Sequence, residues 1–207
     1  MSRAGWMMLL LLPCMLQGQS RAGAFFRLSG PEKTWTLLHP FKAGRAWKIS
    51  RETRQQVEKF CRHTELDTFN HGGKLDAFRH TFWMARLTQS IGPRAALKLG
   101  KAHERGNFRQ FKKGKGEDGN VQDSIACVMD LRNNEAGIAL GKKHLPTPTD
   151  SIAIMVIDLI RTGNLTIMKR NAVGQLCTCE GLLVTLPAGQ RRAWALPYCL
   201  VRSNNTP

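Results

Sequence analysis

Apolar residues recur three or four positions apart in five successive stretches of this sequence, and glycine, proline or polar residues separate the stretches. This spacing puts the apolar side chains on one face of an α-helix, where they can pack against other helices. The predicted helices cover residues 50–63, 75–90, 94–105, 121–141 and 150–163. With 207 residues, the chain has the length of one domain. We predict a mainly α fold, a compact bundle of about five helices.

The C-terminal residues change from helical spacing to short runs that are typical of strands. Residues 165–168 and 176–178 flank a turn that contains Asn171 and Gly174, and this arrangement predicts a small C-terminal β-hairpin. The tail beyond residue 187 is expected to be either a last strand or irregular.

The first residues are typical of a secretory signal peptide. Arg3 precedes a short apolar run from Trp6 to Leu16, and small and polar residues follow up to Ala24. The run is shorter than the roughly 20 residues that span a bilayer. We expect export to the periplasm or the exterior with cleavage near Ala22 or Ala24. The alternative is an uncleaved anchor that keeps the protein at the membrane.

Residues that interrupt helices divide the rest of the chain into segments. Gly30-Pro31 and His39-Pro40 interrupt an aromatic-rich segment, which we predict to be an ordered arm with short helical turns. The predicted parts are a signal peptide at 1–24, an N-terminal arm at 25–48, a helical domain at 49–163, and a β-hairpin with an irregular tail at 164–207.

Five cysteines remain once a leader containing Cys14 is removed, so at least one of them stays unpaired. One or two disulfides can form in an oxidising compartment, but spacing does not define their connectivity. We expect the cysteines at 177, 179 and 199 to supply them, and we expect Cys61 and Cys127 to be free.

The formal net charge is +16, and such a surface attracts polyanions. At the cell envelope these are anionic lipid headgroups and envelope polymers, and nucleic acid is not excluded. The charge alternatively serves only solubility. The glycine- and lysine-rich stretch 106–119 predicts a mobile cationic loop, in which Lys112, Lys113 and Lys115 are candidate substrate-binding residues. The oligomeric state is open.

Three predicted helices carry polar residues among their apolar ones. The second places Asp76, His80 and Trp83 on one face with Arg79 beside them, because residues three and four apart are neighbours on a helix. A carboxylate one turn before a histidine can orient the ring and leave one nitrogen for a metal or for proton transfer. The alternative is that these residues form ion pairs on the surface.

The third helix ends with His103-Glu104, and the fourth carries Asp130, Asn133 and Asn134. Adjacent residues diverge by about 100° on a helix, so His103 and Glu104 share a site only if it lies between their directions. Consecutive asparagines are unfavourable in a helix interior, which indicates a specific role. The alternatives are a histidine placed at a helix C-terminus and hydrogen bonds that tie helices together.

These side chains converge if the three helices pack together. Imidazoles and carboxylates are the groups that divalent-metal binding or acid-base hydrolysis requires, although none of the spacings is a known zinc motif. The candidate catalytic residues are His80, His103, Glu104, Asp130 and Asn134; the candidate metal ligands are His80, His103 and Asp130; and Arg79, Lys112, Lys113 and Lys115 are expected to bind an anionic substrate.

Three blocks of sequence resemble a known family. They are DAFRHTFW at 76–83, KAHE at 101–104 and MDLRNNEAG at 129–137. In this order they resemble an uncharacterised bacterial domain-of-unknown-function family with members from the Bacteroidetes group, to which the stretch 30–41 is also similar. A more distant similarity is to bacterial minimal Wnt-like domains proposed to act on lipids. This similarity implies a site made of Arg79, His80, His103, Glu104, Asp130 and Asn134.

Two functions are compatible with these patterns. The first is a metal-dependent or acid-base hydrolase of lipid headgroups or phosphodiesters at the cell envelope. The second is a non-catalytic module that binds anionic envelope polymers or the membrane surface through the cationic loop, with the polar helix residues serving as a buried network.

Overall fold

The computed structural model describes residues 21–114, 123–186 and 192–205. Within them, a mainly α fold with a small antiparallel β element near the C-terminus is confirmed. No described helix is both long and apolar enough to cross a membrane. The elements are α1 (Arg21–Arg27), α2 (Gly30–Leu38), α3 (Pro40–Phe60), α4 (Lys74–Ile91), α5 (Pro93–Lys112), α6 (Ser124–Lys143), α7 (Thr149–Arg161), β1 (Thr166–Met168) and β2 (Leu200–Arg202).

Helix α4 is the centre of the fold because it is apolar on nearly every side. Phe78 and Phe82 are fully buried together with residues of α7 and β1. Met84 and Leu87 are fully buried in a second cluster with residues of α2, α3 and α5. A helix that is hydrophobic all round is surrounded by other elements. Polar residues of α4 are therefore carried into the interior as well.

Two glycines of α6 allow it to pack closely on α4. A Cβ atom at Gly137 would overlap the carbonyl oxygen of Thr81, and one at Gly141 would overlap that of Ala85. Glycine is the residue that permits this distance between two backbones. The approach places the polar residues of α4 and α6 opposite one another.

Helix α3 begins at Pro40, ten residues before the predicted start at Ser50, and ends at Phe60. Proline suits the first turn of a helix because its missing N–H would have no partner there. Ser50 does not cap the helix: its hydroxyl donates to the carbonyl oxygen of Ala46 at 3.0 Å. The segment 25–48 is therefore largely helical and forms α1, α2 and the first part of α3.

Helix α5 continues through Gly106, which was predicted to end it, as far as Lys112. Gly106 is buried against the start of α2, where a Cβ atom would overlap the hydroxyl oxygen of Ser29. The glycine serves this contact rather than a helix end. The predicted loop at 106–119 is thus wrong for 106–112, and residues 115–119 lie outside the described part of the chain.

The tail supplies the second strand of the sheet. β1 pairs with β2 in antiparallel register, with Ile167 opposite Val201. The predicted turn also forms, since the N–H of Gly174 donates to the carbonyl oxygen of Asn171 at 2.9 Å. The extended partner of β1 is nevertheless Leu200–Arg202 and not residues 176–178.

A disulfide holds the tail in this position. Cys199 is bonded to Cys179, and its backbone N–H and carbonyl group bind Cys177 and Lys169, respectively. The expectation that C-terminal cysteines pair is therefore confirmed. Among the described residues, the free cysteines are Cys61, which is half-buried, and Cys127 and Cys177, which are buried.

The contact between α4 and α6 can be tested at Gly137. We expect Gly137→Ala to destabilise the protein by about 2 kcal/mol, because the added methyl group must displace the α4 backbone. Urea unfolding followed by circular dichroism measures the effect. Gly44→Ala in α3 is the control, since nothing lies within 4 Å of the added Cβ atom, and it should stabilise by up to about 1 kcal/mol. Equal stability of the two variants would contradict this account.

Candidate functional site

Asp76 lies at the buried start of the polar face of α4. Its Oδ2 accepts a hydrogen bond from the N–H of Gly72 at 2.7 Å, and its Oδ1 accepts one from the guanidinium of Arg79 at 2.6 Å. The Asp76 side chain is 2% exposed and that of Arg79 is 26% exposed. The pair is therefore a partly buried ion pair and not a surface one.

His80 lies one turn further along α4, between three side chains. Its Nδ1 is 3.3 Å from Oδ1 of Asn134, and its Nε2 is 3.5 Å from Oδ1 of both Asp76 and Asp130. Burial lowers the pKa of His80 well below its ordinary value, and the positive charges of Arg79 and His103 add to this effect. The ring is therefore neutral at physiological pH.

The two adjacent asparagines of α6 have different roles. Asn134 faces His80, together with Asp130 one turn earlier. Asn133 points to the sheet, where its amide donates to the carbonyl oxygen of Thr166 at 2.8 Å and accepts from the Thr166 N–H at 2.9 Å. One asparagine thus belongs to the polar cluster, and the other anchors β1 to the helix bundle.

Glu104 of α5 points into the interior and is 6% exposed. Its Oε2 accepts a hydrogen bond from the Asn107 amide at 3.2 Å. Burial raises the pKa of the Cys127 thiol, and the neighbouring carboxylates of Glu104 and Asp130 raise it further. Cys127 is therefore a protonated thiol beside the acidic cluster and not a nucleophile.

His103 points away from its neighbour Glu104, as their positions on the helix require. Its Nδ1 is 3.0 Å from Oε1 of Glu32 in α2, and its ring centroid is 6.0 Å from that of His80 and 5.5 Å from that of Trp83. The carboxylate accepts from Nδ1, so in the neutral ring the lone pair is on Nε2. His103 and Glu32 form a histidine–carboxylate pair.

His103 and Ser29 determine the charge state of Glu32. Burial alone would raise the pKa of Glu32, but the hydrogen bond and electrostatic attraction of His103, with hydrogen bonds from Ser29, lower it to about 2. Glu32 is therefore ionised throughout the physiological range and can orient the His103 ring.

Glu32 is the site residue that the sequence analysis missed. Ser29 and Glu32 form a capping box at the start of α2, with each side chain hydrogen-bonded to the other residue's backbone N–H. The Ser-x-x-Glu spacing is a readable signal for that box. It identifies the start of a helix, but it does not show that the glutamate also binds a histidine 71 positions later.

A cleft of about 570 Å³ opens beside His103. Its wall includes three tryptophans, Trp35, Trp47 and Trp83, and the exposed cations Arg27 and Arg54. Asp76, His80 and Asp130 are buried and are not part of its wall among the described residues. His103 therefore lies between an open cleft and a closed polar cluster.

The structure brings most of the candidate residues together. Arg79, His80, Asp130 and Asn134 belong to one largely buried cluster, and His103 lies at its cleft side. Glu104 and Asp130 both act on the Cys127 thiol. The lysines differ. Lys112 ends α5 with its Nζ 4.5 Å from the Phe108 ring centroid. Lys112 and Lys113 do not line the cleft, and Lys115 lies outside the described residues.

Comparison with known proteins identifies the family. The model of a domain of unknown function, DUF6973, matches residues 33–164, which is more than half of the 207-residue chain. The chain belongs to this family. The DUF6973 region includes helices α3 to α7 and the buried cluster with His103, whereas Glu32 lies one residue before its start. No solved structure matches the chain.

The pairing of Glu32 with His103 has a consequence for stability at low pH. Because the folded pKa of about 2 is below the ordinary 4.5, this group stabilises the fold above about pH 4.5, and the contribution is lost as the pH falls towards 2. The full shift corresponds to about 3 kcal/mol.

We therefore expect Glu32→Gln to reduce the unfolding free energy at pH 6 and to flatten its decrease between pH 5 and 3. Urea unfolding at each pH measures both effects. The control is Glu58→Gln, a change at an exposed position of α3, which should follow the wild-type profile. A Glu32→Gln profile that parallels the wild type would contradict the pairing.

Proposed function

We propose that this protein is a hydrolase that cleaves phosphodiester bonds of lipid headgroups. The observation that carries the proposal is His103, held by an ionised carboxylate and placed in the wall of a cleft. In the reaction His103 takes a proton from a water molecule while the water oxygen bonds to phosphorus. The ester bond to the leaving alcohol then breaks, and His103 returns the proton to that alcohol.

His103 has the features of a general base. Glu32 fixes the ring through Nδ1 and stabilises the positive charge that appears when Nε2 accepts a proton. The His103 side chain is 20% exposed, so water and substrate can reach it from the cleft. His80 is unsuited to this step because it is 3% exposed and lies outside the cleft wall.

The cleft supports an amphiphilic substrate with an anionic group. Three tryptophans provide an apolar wall, while Arg27 and Arg54 provide positive charge for a phosphate. Large apolar residues next to the cleft-lining positions are also exposed, namely Phe26, Leu37, Leu38 and Phe41. Exposed apolar groups among cations favour contact with a lipid surface. The predicted export to the cell envelope and the sequence similarity to bacterial minimal Wnt-like domains are consistent with this substrate.

The buried cluster positions the catalytic helix in this proposal. Glu104 of α5 and Asp130 of α6 both act on the Cys127 thiol, and Asn134 binds His80 of α4. Buried polar contacts of this kind favour one arrangement of the helices. Arg79, His80, Glu104, Asp130 and Asn134 therefore act through His103 rather than on the substrate.

The test is turnover by His103→Gln. With vesicles of phosphatidylcholine and phosphatidylglycerol as substrate, we expect headgroup release to fall about 100-fold or more, the usual effect of removing a general base. The control is His63→Gln, because His63 is exposed at the end of α3, and its turnover should match the wild type.

A second measurement separates the two functions. Binding of the protein to the same vesicles, followed by sedimentation, should be retained in His103→Gln. If wild-type protein binds vesicles and cleaves neither the lipids nor a soluble phosphodiester, the hydrolase proposal is wrong and the protein is a non-catalytic anion-binding module.

A further inference from the structure

We infer that Asp76, His80 and Asp130 form a binding site for one divalent transition-metal ion, such as Mn²⁺ or Zn²⁺. This metal site goes beyond the proposed hydrolase function, and metal binding can be measured without any turnover. It also differs from the ligand set expected from sequence, since Asp76 takes the place of His103, which is bound to Glu32.

The distances between the three side chains suit a single ion. One ligand atom from each of the three side chains lies within 4.8 Å of the other two, and Nε2 of His80 is 3.5 Å from an oxygen of each aspartate. Ligands that bind one ion at about 2.0 to 2.2 Å have separations of this size. Two of the ligands are one turn apart on α4, and the third comes from α6.

The orientation of the His80 ring also favours a cation at this position. Its Nδ1 faces the side-chain amide oxygen Oδ1 of Asn134, so in the neutral ring the hydrogen is on Nδ1 and the lone pair is on Nε2. That nitrogen is buried and makes no hydrogen bond to the described residues. It faces two carboxylate oxygens instead of a donor. A cation between these three atoms removes the repulsion.

The surroundings match those of known metal ligands. A histidine that binds a metal almost always donates its other ring N–H to a carbonyl or carboxylate oxygen, as His80 does to Asn134. A ligating carboxylate is itself held by hydrogen bonds, as Asp76 is by Gly72 and Arg79. Both supporting interactions are already in place.

The donor atoms of the three side chains indicate which class of ion the site suits. Asp76, His80 and Asp130 are all buried. One imidazole nitrogen and two carboxylate oxygens suit a transition-metal dication better than Ca²⁺, which prefers six to eight oxygen ligands.

The experiment is metal titration of the full-length chain after chelator treatment and dialysis. Wild-type protein should bind about one Mn²⁺ or Zn²⁺ per chain, measured by elemental mass spectrometry, and the ion should raise Tm. Co²⁺ in the same site should give visible absorption bands from nitrogen and oxygen ligands. These wild-type readouts decide the question even if a variant fails to fold.

Variants then assign the ligands. Asp130→Asn and His80→Gln should lose the ion, and Asn134→Ala should weaken affinity about 10- to 100-fold, the usual effect of removing a partner of a ligand. Asp158→Asn, at an exposed carboxylate of α7, and His103→Gln should retain it. No ion in wild-type protein, or equal binding by Asp130→Asn, would overturn the inference.

Discussion

The backbones of α4 and α6 lie against each other because Gly137 and Gly141 present no side chain to the α4 carbonyl groups. This contact aligns the polar residues of the two helices, so that Asn134 and Asp130 meet His80. Any larger residue at the two glycines would separate those partners. The shape of the polar cluster therefore depends on an apolar contact between two helix backbones.

Burying the polar cluster costs free energy, which the apolar core must offset. Buried carboxylates lose their hydration, and fixed hydrogen bonds restore only part of that free energy. The N–H of Gly72 and the guanidinium of Arg79 supply such bonds to Asp76. An interior of similar volume built from apolar side chains would be at least as stable.

The N-terminal helices form the cleft beside His103. Glu32 of α2 binds His103, and Trp35 buries its ring while its indole N–H donates to the carbonyl oxygen of Ala95 at 3.2 Å. These two contacts attach α2 to α5. The cleft lies between α1, α2 and α3 on one side and the bundle on the other. Without these helices His103 would have neither its carboxylate partner nor the adjoining cleft.

Local spacing was sufficient to predict the helices of the bundle and the shared face of Asp76 and His80, because neighbours one turn apart depend only on helix geometry. It also predicted the divergence of His103 and Glu104 by the same rule. The predicted start of α3 was wrong because a proline before a helical stretch can either interrupt an irregular segment or occupy the first turn of the helix. The turn around Asn171 was correct for a similarly local reason.

Partners distant in sequence were decided only by the tertiary structure. No local pattern shows that Glu32 lies against His103, that Asn133 binds β1 while Asn134 binds His80, or that the tail forms β2. The physical reason is that these contacts follow from how the helices pack and from one disulfide. The amino-acid sequence by itself determined which helices form and which polar groups each presents. Packing decided which of those groups meet.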